Sequence, residues 1–117
     1  MSKSFKVMYE VSVPSERVED LIVGAIEGGS GYWCGKVEPL NRETNVDFYT
    51  QMLDGWKCYD SEMEKWYTVN KPDIEQALQD MAKYHKKHFQ DLIVMTDDAI
   101  TADVFFQLCA LKSVVYG

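Results

Sequence analysis

A change of period across four residues narrows the possible folds of this chain more than any other feature. Val18, Leu21, Ile22, Ala25 and Ile26 recur at helical spacing and make one continuous apolar stripe. Gly28, Gly29, Ser30 and Gly31 interrupt it, after which "YWCGKVE", stopped by Pro39, reads as a short strand. A helix that hands over to a strand through glycines implies a mixed fold. One glycine is enough to end a helix, so the surplus raises the question of what the turn and the Tyr32–Trp33 pair behind it are for.

The rest of the chain fits the same class. From Ser4 to Val13, Phe5, Val7, Tyr9, Val11 and Val13 alternate with Lys6, Met8, Glu10 and Ser12, which predicts a half-buried strand. Pro14 suits the first turn of the following helix, and Glu16, Glu19 and Asp20 sit near its positive end. Gly24, inside that helix, costs about 1 kcal/mol relative to alanine and points to a close backbone approach. Gly28 or Gly29 supplies a left-handed cap. Asn41 to Gly55 reads as a loop with room for a short helix. "GWKCYD" and "KWYTVN" form a hairpin around "SEME".

Pro72 opens a second helix to about Leu92, its apolar face being Ile74, Ala77, Leu78, Met81, His85, Phe89 and Leu92. A third helix starts near Thr101 and turns Val104, Phe105, Leu108 and Leu111 inward, and "VVYG" closes the chain as an extended tail. The expected architecture is α+β, a small antiparallel antiparallel-paired sheet packed against about three helices, in a single domain over residues 1–117.

Composition limits the function. With 117 residues, 46% of them hydrophobic, the chain can bury a core without disulfide or metal staples. Its 7 Tyr, 5 Phe and 3 Trp exceed what such a core needs, which suggests a ligand or subunit contact. A formal charge of −7 argues against binding nucleic-acid backbones. No apolar run approaches ~18 residues and no signal peptide is evident, so neither membrane insertion nor export is expected. Cys34, Cys58 and Cys109 show no Cys-x-x-Cys spacing and read as reduced cytoplasmic thiols.

Candidate site residues fall in three places. At the bend, Gly28, Gly29 and Ser30 present Tyr32 and Trp33, whose faces could stack on a base or another flat ligand. The alternative is a helix cap followed by core aromatics, and strand alternation keeps at least one of the two rings off the core. The glycines follow a helix C-terminus and lack a Lys-Ser/Thr pair, so they are not a phosphate-hydrolysis loop. In "KYHKKH", Lys83 and His88 are candidates for capturing an anionic group, against solvation of a helix end. His85 and His88 lack both the spacing and the third ligand of a metal site.

In "TDDAITADVF", Asp98 and Thr101 either cap a helix or bind ribose hydroxyls. Cys34 could be a reactive thiol, but nothing cationic in the neighbouring sequence would activate it. No catalytic triad or metal set accompanies these residues, so catalysis and cofactors are not expected.

"AIEGGSGYWC", the hairpin and the closing "DDAITADVFFQLCALKSVVYG" together resemble a group of small proteins encoded by tailed bacteriophages. In those proteins a Glu-Gly-Gly turn precedes a Tyr-Trp pair, and a Thr-Ala-Asp helix ends in Val-Tyr-Gly. The resemblance covers both ends well and the middle poorly, and Leu111 and Lys112 stand where a glycine is expected. It implies a viral origin and action in the cytoplasm of the infected host. Within that setting the residues lead to a non-enzymatic, homo-oligomeric protein sequestering a nucleotide-like small molecule, an immune signal of bacterial defence. The alternative is an acidic inhibitor or nucleic-acid mimic that docks on a defence protein.

Overall fold

The computed structural model describes residues 3–7, 9–43 and 45–117. Helix α1 (Ser15–Gly24) runs directly into a wider π turn, Ala25–Gly29, and strand β1 (Cys34–Pro39) follows. After a short helix α2 (Phe48–Met52) come β2 (Trp56–Asp60) and β3 (Lys65–Val69), then α3 (Lys71–Tyr84), α4 (Lys86–Ile93) and α5 (Ala99–Leu111). The strands form an antiparallel meander in the order β1-β2-β3, so the fold is α+β. It has more helices than the sequence pattern suggested.

Helix α5 is the centre of the molecule. Residues Thr101 to Ala110 are all buried, and the helix packs against α1, α3, α4, the π turn and β3. A helix wrapped on every side needs apolar or internally satisfied residues all round, not a single stripe. Phe106 stacks on Trp56 of β2 with ring centroids 5.1 Å apart, which joins helix to sheet. Asp98 caps α5 by accepting from Thr101 N at 3.0 Å. Its other end closes on Lys112 at φ 66°. A lysine is therefore held in the left-handed region, where a side chain is normally disfavoured. The Lys112 ammonium pairs with Asp73 at 2.5 Å across the α3–α5 packing.

Two sequence expectations need correction. The second helix is broken at His85, whose φ of −130° and ψ of 55° separate α3 from α4. The break lets α4 leave the α3 axis and press Leu92 into the core. The run from Ser4 to Val13 forms no strand among its described residues; Met8 lies outside them, as does Thr44 in the 41–55 loop. Phe5 is 96% and Tyr9 80% exposed. A strand exists only where a neighbour accepts its hydrogen bonds, and within one chain this segment has none.

Candidate functional site

Of the glycines at the bend, Gly29 serves close packing, whereas Gly31 faces open space. None of Gly24, Gly28, Gly29 or Gly31 takes a positive φ, so the expected left-handed cap is absent. The helix instead widens, with Ser30 N donating to Ala25 O at 2.8 Å, five residues back. At Gly29 a Cβ would lie 2.3 Å from the Ala99 carbonyl oxygen, so any side chain would collide with the first turn of α5. The close neighbour at Gly24 is the Ala102 side chain, 3.1 Å from where a Cβ would stand, and not backbone.

Held this close to α5, the bend surrounds one carboxylate. Asp103 Oδ1 accepts from Ser30 Oγ at 2.7 Å and from Trp33 Nε1 at 2.8 Å. Its Oδ2 accepts from Tyr32 OH at 2.6 Å and Gln107 Nε2 at 2.9 Å. The amide oxygen of Gln107, one helical turn on, accepts from Val115 N and Tyr116 N at 2.8 and 2.9 Å. The tail is thus tied down, Tyr116 stacks on Trp33 at 5.8 Å, and its hydroxyl donates to Asp60 on β2 at 2.7 Å. The bend, the start of α5 and the C-terminal tail meet here in space. A buried polar network with every member satisfied fixes one arrangement of a core.

The two aromatics of the bend therefore part company. Trp33 is fully buried and committed to Asp103, Phe106 and Tyr116, so it cannot stack on a ligand in this fold. Tyr32 keeps 52% of its surface exposed. A cleft of about 180 Å³ has walls that include Ser30, Gly31, Cys34, Lys36 and Phe48, but not Tyr32.

Asp98 and Thr101 also meet a third candidate. The Thr101 hydroxyl donates to Asp98 at 3.2 Å and lies 2.9 Å from His88 Nδ1, so these three form a second small network. Gly28 lies against Ala99 between the two groups. Lys83 stands apart, its ammonium over the Tyr84 ring at 5.1 Å, and among the described residues it makes no hydrogen bond to the bend. No group of three or more His, Cys, Asp or Glu is placed to hold a metal among the described residues. The sequence reading missed Gln107, Asp60 and Tyr116; the i, i+4 spacing of Asp103 and Gln107 was the one available signal.

The network should respond to alkali. Burial, followed by its bond to Asp103, pushes the Tyr32 phenol up to about 12, and the bond to Asp60 does the same for Tyr116. Both phenols hold their protons more tightly when folded, so this stabilisation is complete below about pH 10 and disappears as pH rises through about 12. Urea midpoints should fall across that window. Replacing both tyrosines by phenylalanine should flatten the fall, and an unchanged slope would separate the phenols from stability.

No helix among the described residues is long and apolar enough to cross a membrane. A comparison with protein-family models, curated proteins and solved structures finds no match to this chain.

Proposed function

We propose that this chain is a non-catalytic, phage-type protein that antagonises a bacterial host factor by docking on it, with residues 3–11 as the docking element. The supporting observation is a strand pattern without a sheet: Phe5, Val7, Tyr9 and Val11 alternate in sequence, belong to no strand and are all exposed. Such a segment gains both its missing main-chain bonds and its apolar burial by adding to the free edge strand of a partner. Exposed aromatics at alternate positions are the anchors that dominate interfaces of this kind. The net charge of −7 favours a partner whose edge strand has basic surroundings, with association that weakens as salt rises.

A second reading, capture of a nucleotide-derived signal, is favoured by the half-exposed Tyr32 ring and by a cleft that Ser30 and Gly31 of the same bend line. A volume of about 180 Å³ is below the ~300 Å³ at which small-molecule pockets usually begin, so the site would need a second copy to complete it.

The test compares the full chain with one lacking residues 1–10. Both should melt at nearly the same temperature, because none of the described residues among 3–10 belongs to the core. Only the full chain should retain one host protein in stoichiometric amount, and amide exchange over residues 3–11 should slow in that complex. Exchange at the free rate within the complex would overturn the reading. A melting shift with ADP-ribose or a cyclic dinucleotide that survives the truncation would favour the second reading instead.

A further inference from the structure

The arm that precedes α1 is complementary to itself. Among its described residues from 3 to 13, none belongs to a helix or strand and none makes a main-chain hydrogen bond to another part of the chain. Phe5, Val7, Tyr9 and Val11 are exposed, and so are Lys6 and Glu10 between them. Neither Lys6 nor Glu10 enters an ion pair among the described residues. A row of unpaired main-chain groups is a template for another strand, and the same arm on a second copy presents a matching row.

The sequence singles out one way to pair two such arms. In an antiparallel pair related by a two-fold axis, residues directly opposite share a face and their numbers add to a constant. An odd constant would set apolar residues against polar ones. With a sum of 16, Phe5 meets Val11 and Val7 meets Tyr9 on one face, each pairing occurring twice. On the other face Lys6 meets Glu10, also twice. A slip to 14 puts Lys6 opposite Met8, and a slip to 18 puts it opposite Ser12, so a shift in either direction loses both ion pairs.

A two-stranded ribbon by itself is marginal in water, so its apolar face needs cover. The chain offers that cover. Between the arm and the helices α3 and α4 lies a cleft of about 760 Å³, where Tyr9 and Val11 face a wall that includes Glu75, Leu78, Ala82 and Phe89. With a sum of 16, the second copy's Phe5 and Val7 stand opposite Val11 and Tyr9, the two apolar arm residues that line this cleft.

We propose that two copies of this chain associate through their arms, as an antiparallel two-stranded ribbon centred on position 8 and held in register by two Lys6–Glu10 pairs. Pairing uses one edge of each arm and leaves the other free for a host strand. The proposal therefore goes beyond the docking reading without resting on it.

Sedimentation velocity on the purified chain, with no host protein present, tests the association directly. It is run near physiological ionic strength, where repulsion between two chains of charge −7 is screened beyond about 8 Å. The full chain should pass from monomer to dimer as its concentration rises, and the chain lacking residues 1–10 should stay monomeric throughout. In protein too dilute to pair, the two chains should melt alike, whereas at higher concentration only the full chain's Tm should climb. Lys6→Glu and Glu10→Lys should each weaken the dimer about tenfold, because each turns two cross-strand attractions into repulsions. Both side chains lie outside the core, so both variants should fold as the wild type does. An equimolar mixture of the two variants should restore the dimer, since opposite charges then face each other at both positions. A full chain that stays monomeric up to about 1 mM overturns the proposal. So does a dimer that survives the truncation, or a mixture that associates no more tightly than its components. A monomer that captures a host protein would leave the docking reading standing without this one, and a dimer that captures none would leave this one standing without it.

Discussion

Asp103→Leu should cost about 3–5 kcal/mol, the largest loss expected from any single polar substitution in this chain, because it strands several buried donors at once. Ser30 Oγ and Trp33 Nε1 both depend on Oδ1, and neither reaches water. Gln107 cannot turn its amide to compensate, since its oxygen already holds Val115 N and Tyr116 N. Tyr32 suffers least, being half-exposed and free to hydrate. Asp103→Asn should lose less, because one oxygen can still accept from Ser30 and Trp33, but its new N–H groups would face the Gln107 donor. Urea denaturation of the three proteins checks this, and a leucine variant within 1 kcal/mol of wild type would show that the network carries little of the fold's stability.

Trp33→Ala is expected to be comparably severe, about 3–5 kcal/mol, as for other buried tryptophans cut to alanine. The indole fills space between Phe106 and Tyr116 and also donates to Asp103. Domains of this size are stable by about 5–15 kcal/mol, so the variant should be partly unfolded near physiological temperature. Trp33→Phe should recover much of the loss by keeping the ring contacts. Because Trp33 and Asp103 share one bond, the double variant should cost less than the two single losses added, and a coupling energy near zero would contradict the network. This outcome bears on function as well. A Trp33 variant that fails to bind anything reports on folding, whereas a Tyr32 variant reports on the bend's exposed face.

The candidate site was half legible in the sequence. The stretch from Gly28 to Trp33 and the Thr-Ala-Asp start of α5 were both singled out, and the structure does bring them together. Their relation was not legible, because Asp103 meets the bend across some seventy residues, with separations of 70 to 73 for its three bonds there. Spacing along the chain carries no information about such a contact. Nor does it show that Cys34 pairs with Asp60, since a register irregularity between Cys34 and Lys36 sets that alignment.

What the sequence settled by itself was the local grammar: the α1 stripe, Pro39 ending β1, the β2–β3 hairpin and Pro72 opening α3. Each rests on side-chain period or backbone chemistry within a few residues, so each survives without knowledge of the rest. Tertiary structure alone decided that the described residues among 3–11 stay unpaired despite a strand's alternation, that Trp33 turns in while Tyr32 turns out, and that Gly29 makes room for Ala99. Pairing, burial and steric clearance belong to two partners at once, and the second partner lies far along the chain or outside it.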